Sequence, residues 1–318
     1  MKPSPSPIKA LSRVIGLDVA KASVTLFDPG SRRSCVVANT VDALTQALSP
    51  FADYELAVCE ATGGYERATL QAALAVGLAA HRADALKVKR YIASHGGAAK
   101  SDPIDAAWLS RYGQERGATL ALWEPAAEGR DALAALVRHR QDLVSTRTET
   151  KNRRSSPTCQ AVAPFLDEQI AFLTRQVQAI EHAIAQQLEH TAELAEAARR
   201  LRAQPGLGAV AVSSLLALMP ELGRMNRRQA ASLAGLAPHP RDSGKLAGRR
   251  RCGRGRQGLK PILFMAAMAA IRSCPTLKAF ALRLTLAGKP KRLILTAVSR
   301  KLIVRANSAL STISPQLT

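Results

Sequence analysis

From Leu166 to Leu201 one seam runs through the chain: Leu166, Ile170, Leu173, Val177, Ile180, Ile184, Gln187, Thr191, Leu194, Ala198, Leu201. The steps alternate four and three residues, and only an α-helix turns such a spacing into a single stripe. At a rise of about 1.5 Å per residue the seam predicts one helix roughly 50 Å long. A helix of that length has to bury its stripe against something. An upstream helix over about 128–153 offers Leu133, Leu136, Val137, Leu143 and Val144, with Pro157 and Pro164 in the loop between them. Two pairings stay open, a hairpin closed on itself and a coiled-coil stalk that joins subunits. Gln187 and Thr191 weaken the seam for both.

The charge is lopsided. The chain has 318 residues and a net charge of +21. Residues 1–125 hold 14 Lys/Arg and 12 Asp/Glu, and residues 126–223 hold 11 of each. Residues 224–318 hold 20 Lys/Arg and a single acid, Asp242. Charge concentrated in this way predicts a face for a polyanion. By its charge that polyanion is either nucleic acid or an acidic membrane surface; no apolar run reaches the roughly 18 to 20 residues that span a bilayer, and the expectation carried forward is nucleic acid, with no membrane partner. The opening "MKPSPSPIKALSR" is basic and rich in Pro and Ser, without the apolar core of a signal peptide. It is expected to be a disordered arm (1–12) on a cytoplasmic protein. The five cysteines show no paired spacing for zinc, and Cys252 in "RRRCGRG" reads as a passenger thiol.

The N-terminal third has an α/β pattern. In "RVIGLDVAKASVTLFD", Ile15, Leu17 and Val19 alternate on one face of a strand and put Asp18 on the other. A further strand ends at Glu60 and runs into Gly63-Gly64, a helix follows around 67–80, and another strand is expected near His81. "KSDPIDA" then starts a helix that carries Ala106, Leu109 and Tyr112 along one side. Asp102 and Asp105 share a face there. They can serve as a helix cap and capping box around Pro103, or as ligands to a cation. If the strands of Asp18 and Glu60 are neighbours and this helix crosses them, four carboxylates converge. Four such charges repel unless a hard divalent cation, Mg²⁺ or Mn²⁺, sits among them.

"GLDVAK", "CEATGGY" and "KSDPIDA" in that order resemble the DEDD transposases of the insertion-sequence 110 family. So do "PGLGAVAVSSLLALMPELGRM", "QAASLAGLAPHPRDSGKLAGRRR" and "KPILFMAAMAAI" further on. The likeness covers about residues 13 to 310. It implies an α/β plus α architecture. A RuvC-like, ribonuclease H-type βββαβα domain is expected over 13–125, and a helical, coiled-coil segment over 126–203. A mostly helical C-terminal transposase domain with a helix-hairpin-helix-like turn at Gly206 and Gly208 is expected over 204–310, ahead of a short tail, 311–318. It implies Asp18, Glu60, Asp102 and Asp105 as catalytic metal ligands. It places the family's nucleophilic serine at Ser243, in "GLAPHPRDSGK", where an Asp-Ser-Gly turn with no catalytic role is the other reading. Ser213, Ser214 and Ser232 fall on apolar helices and are weaker candidates.

Arg241, Lys245, Arg249, Arg250, Arg251, Arg254 and Arg256 flank that serine and are expected to meet nucleic acid, with Gly206 and Gly208 offering backbone N–H groups to a phosphate. The resemblance further implies donor and target DNA, a noncoding bridge RNA, and a homo-oligomer from dimer to tetramer whose sites combine domains of different subunits. The expected location is the bacterial cytoplasm, at the nucleoid. Two other functions fit the same residues: a junction-resolving nuclease with water as nucleophile, and a non-catalytic nucleic-acid-binding protein. Aromatic content is only 4%, so stacking platforms are scarce; Tyr65 and Trp108, near the acids, read first as packing.

Overall fold

A computed structural model describes residues 10–96, 101–125, 128–239, 251–253 and 255–311. The chain divides into two compact units, 1–125 and 126–318.

In the first unit, β1 (Val14–Val19), β2 (Ser23–Asp28) and β3 (Arg33–Ala38) are followed by α1 (Val41–Leu48), β4 (Leu56–Glu60), α2 (Glu66–Ala75), β5 (Ala80–Ala83), α3 (Ala85–Ser94) and α4 (Asp102–Arg116). The five strands form one sheet in the order β3-β2-β1-β4-β5. The first three pair antiparallel, and β1-β4 and β4-β5 pair parallel. This is the order that a βββαβα frame produces. The alternation of β1 divides the core as expected. Ile15, Leu17 and Val19 join α1 and α2 residues on one face, while Val14 joins Leu56, Val58, Leu109 and Tyr112 on the other. The helices α1 and α3 are additions to the sequence reading. Each is announced by a cap: Thr40 accepts from the Ala43 N–H and Asp84 from the Lys87 N–H.

The second unit is helical: α5 (Arg130–Arg154), α6 (Ala163–His190), α7 (Ala192–Arg202), α8 (Ala209–Leu218) and α9 (Arg227–Leu233). A two-residue ribbon of β6 (Pro238–His239) and β7 (Arg251–Cys252) follows, then α10 (Leu259–Ser273), α11 (Pro275–Leu286) and α12 (Lys291–Ser311). The helices α5 and α6 form an antiparallel hairpin. Arg154 meets Asp167, Arg140 meets Glu181, and Arg130 meets Glu193 beyond the end of α6. The seam of α6 is buried at Leu166, Leu173, Val177 and Ile184.

The single long helix expected from the seam is not formed. Thr191 is extended (φ −116°, ψ 122°) and separates α6 from α7. The reason lies in the weak stretch of the seam. Burial passes from Ile184 to Leu188, one position off Gln187. Gln187 instead turns its amide to the Gly129 carbonyl at 3.3 Å. The start of α5 presses on the same place: a Cβ on Gly129 would come within 2.7 Å of Gln187 Nε2 and 2.9 Å of Thr191 Oγ1. One core then runs from Leu133 on α5 through α7 to Leu310 on α12. No single helix among the described residues is long and apolar enough to cross a membrane. The apolar pair α10 and α11 bends by 104°.

Candidate active site

Asp18 and Glu60 each follow a residue of a register pair, Leu17 and Cys59, on parallel neighbours. They therefore lie level at the C-terminal ends of β1 and β4, Asp18 one residue before the last of its strand, with Cα atoms about 5 Å apart. Both are half-buried. The face they present follows from glycine. A Cβ on Gly16 would fall on the Ala106 carbonyl oxygen and 2.6 Å from the Ser110 nitrogen, so Gly16 faces α4, and so does Asp18 two residues later. A Cβ on Gly113 would meet Val58 at 2.7 Å and Val14 at 2.5 Å, which places the Glu60 side of β4 on the same face.

These contacts also fix the direction of α4. Gly117 lies over Leu11 and Leu56, Gly113 over Val14 and Val58, and Ala106 with Ser110 over Gly16. The helix thus runs antiparallel to the strands. Its first turn, with Asp102 and Asp105, reaches the strand ends that carry Asp18 and Glu60. The Ser110 hydroxyl pins this arrangement by donating to the Val14 carbonyl at 2.7 Å, in the core. Asp102 is the first residue of α4 and Pro103 the second, so Ser101 holds the cap position and makes no side-chain capping bond. The capping box of Asp102 with Asp105 is therefore corrected by one residue: the helix starts one position earlier than that pairing needs.

The backbone brings the four acids to one end of the sheet. The side chains do not complete a cation site: among the described residues no three His, Cys, Asp or Glu groups gather closely enough to hold a metal ion. In donor chemistry the set suits a hard divalent cation, which takes carboxylate oxygens and completes its shell with water or phosphate.

Sequence reasoning missed Glu66. It is 2% exposed, and its carboxylate accepts the Gly64 N–H at 2.7 Å, the Thr62 N–H at 3.1 Å and the Thr62 hydroxyl at 3.2 Å. Arg82 on β5 meets its other oxygen at 2.8 Å. Burial pushes its pKa up, but its own N–H, those of Gly64 and Thr62, and Arg82 outweigh that and hold it below the usual glutamate range. Glu66 thus fastens the loop that leaves Glu60. The signal was present, an acid two residues after a Gly-Gly turn with φ of +75° and +118°. Trp108 packs edge-on against Tyr91 and under Arg111, and Tyr65 is 47% exposed beside the fastened loop.

The remaining expected residues belong to the second unit. Ser243, Arg241, Lys245, Arg249, Arg250 and Arg254 lie outside the described residues, as does the side chain of Arg251. Arg256 is engaged within the fold: its guanidinium donates to both Glu221 oxygens at 2.8 and 2.5 Å and to the Leu218 carbonyl. Gly206 (φ +84°) packs on α10, where a Cβ would meet Ala266 and Ala270 backbone and side chain, whereas Gly208, the N-cap of α8, opens on free space. The arm residues 1–9 and the tail 312–318 also lie outside the described residues.

Comparison with known proteins adds the family. A profile described as the DEDD transposase of IS110 matches residues 15–156, and one described as the transposase IS116/IS110/IS902 family matches residues 198–282. The pilin gene-inverting proteins of Moraxella lacunata and Moraxella bovis are each 28% identical over 254 residues, 77% of this chain and 77% of theirs. The RuvC structure of Thermus thermophilus matches over 35% of this chain and 100% of its own, at 16% identity and a TM-score of 0.30, a likeness too slight to carry the fold, which rests on the strand order instead. The first profile covers the sheet and runs on through α5, the second falls within the helical unit, and the chain belongs to the IS110 family of transposases.

Proposed function

We propose that this transposase cuts and rejoins DNA with Asp18, Glu60, Asp102 and Asp105 as cation ligands and Ser243 as nucleophile. The observation that carries the reading is the meeting of β1 and β4 ends under the first turn of α4, in a chain of a family of DNA-rearranging enzymes. A divalent cation bound by these carboxylates, Mg²⁺ or Mn²⁺, would draw charge from a scissile phosphate. Asp18, Glu60, Asp102 and Asp105 would hold that cation, and without it their charges would repel a phosphate. Glu66 and the α4–β1 contact keep their backbones in register.

In the proposed reaction the Ser243 hydroxyl loses its proton to a base and its oxygen bonds to phosphorus. The bond from phosphorus to the leaving deoxyribose oxygen breaks, and that oxygen takes up a proton. The result is a phosphoserine link and a free DNA hydroxyl, which reverses on a second strand. The reading extends to a bridge RNA that pairs with donor and target DNA. It also extends to a dimer or tetramer whose sites combine the first unit of one subunit with the second unit of another.

The test is a trap. Protein, Mg²⁺, the RNA flanking its element and end-labelled donor and target DNA are mixed and run on a denaturing protein gel. Label that travels with the protein and disappears in Ser243→Ala supports the serine mechanism. Free cut DNA, unchanged in Ser243→Ala and abolished in Asp102→Ala, would establish a hydrolytic nuclease instead. DNA binding with no cutting under any divalent metal would reduce the protein to a binder. Mixed oligomers of Asp102→Ala and Ser243→Ala chains regain activity if sites are shared.

A further inference from the structure

The last three helices carry charge without counter-charge. Between Leu259 and Ser311 there are ten Lys and Arg and no Asp or Glu. Four of the ten meet in one place. The helices α11 and α12 lie side by side, and an open groove of about 450 Å³ is lined by Phe280, Ala297, Arg300, Lys301, Val304 and Arg305. The Phe280 ring, half-buried, organises the cations: Lys301 Nζ stands 4.4 Å from its centre and the Arg283 guanidinium 5.4 Å. Arg305 reaches the sulfur of Cys274 at 3.9 Å, at the start of α11. Among the described residues no carboxylate pairs with any of these four cations.

A groove with apolar walls, held cations and no internal acid suits a ligand that brings repeated negative charge. An open groove does not surround a small anion. The ring that would stack a base is claimed by two cations, so the surface reads phosphate rather than base. A cation already held over a ring loses less freedom when a phosphate arrives than a free lysine does. We infer that the α11–α12 groove binds the phosphodiester backbone of duplex DNA, as a contact separate from the arginine-rich stretch 241–256. The inference rests on the reading of the chain as a DNA recombinase and adds where its substrate is gripped.

The test compares two double variants of equal charge loss at exposed positions: Arg300→Gln with Lys301→Gln in the groove, and Arg272→Gln with Lys278→Gln away from its lining. Affinity for a labelled random-sequence duplex is measured across a salt series. Each phosphate contact contributes about 0.9 to the slope of log affinity against log salt. The groove variant should therefore flatten the slope by about 2 and weaken binding at about 0.1 M salt by ten- to sixtyfold. The control pair should stay near wild type. Equal losses in both pairs, an unchanged slope, or a loss confined to the element's RNA would each overturn the groove. Wild-type protein that neither binds nor cuts DNA would instead sink the recombinase reading. Protection of Lys301 from an amine-reactive reagent by duplex, read by mass spectrometry on wild-type protein, provides a measurement that does not depend on the variants folding. Full labelling of Lys301 in saturating duplex would also overturn the inference.

Discussion

Replacing Gly16 with alanine tests the geometry that gathers the acids. The added Cβ would fall on the Ala106 carbonyl oxygen, 2.6 Å from the Ser110 nitrogen and 2.9 Å from the Ala106 carbonyl carbon. All three are backbone atoms of α4, so no side-chain rotation relieves the clash and the helix has to retreat by about 1 Å. Overpacking of this kind costs about 3 kcal/mol, at the upper end of its range because only backbone can yield. Stretching the buried Ser110–Val14 bond adds about 1 kcal/mol. For a unit of this size the sum lowers the melting temperature by about 12 to 16 °C. Asp102 and Asp105 ride on the same helix; under the proposed function they are part of the reacting centre, where a shift of about 1 Å costs about a hundredfold in rate. Calorimetry and strand cleavage on the same preparation check both numbers. Ala106→Gly should not rescue, because the obstructing oxygen is main chain. A melting temperature within about 2 °C of wild type, with cleavage intact, would show that α4 does not rest on β1 as described.

Three further outcomes are expected. Glu66→Gln removes the charged acceptor for Thr62, Gly64 and Arg82 and should destabilise by about 2 kcal/mol. Because the folded-state pKa of Glu66 is depressed, its stabilisation is full above the unfolded value and lost as pH falls through the folded one; acid unfolding of wild type and variant should converge in that window. Asn307→Leu strands the Gly223 N–H and the Met225 carbonyl, which the amide now satisfies at 2.9 and 2.6 Å, and should cost about 2 to 3 kcal/mol by denaturant titration. Cys59 is 1% exposed and its thiol is pushed up to about 12 by burial, then by Glu66; a thiol reagent at neutral pH should label the exposed Cys35 in native protein and reach Cys59 only on unfolding.

The sheet was legible because β1 alternates: Leu17 and Val19 commit one face to the core, and Asp18 falls on the other by necessity. That Asp18 and Glu60 lie at the ends of adjacent strands was not legible from either strand alone, since register is a tertiary property; the family motifs supplied it. The break at Thr191 escaped because the heptad spacing is indifferent to what presses on it. Gln187 and Thr191 were visible as weak points, but not the Gly129 end of α5 that abuts them. Glu66 drew no reading from the sequence, because it is one more acid at a helix start, and only the fold shows it facing a buried loop. Arg256 looked like its neighbours in a basic run, yet its guanidinium belongs to Glu221. Sequence position cannot separate an arginine that braces the fold from one that meets solvent.

The common core from Leu133 to Leu310 has a consequence for dissecting the molecule. Val212, Leu215, Leu263 and Leu302, all from the C-terminal part, bury against the same interior as Leu133, Val137 and Leu201. A fragment begun at residue 204 would leave that interior open on one side and present it to other chains. Shuffling the serine-bearing part between relatives is therefore best done with α5, α6 and α7 attached, joined near residue 126. A fusion made at the "PGLG" turn, where the sequence shows its most obvious punctuation, would cut through a single folding unit.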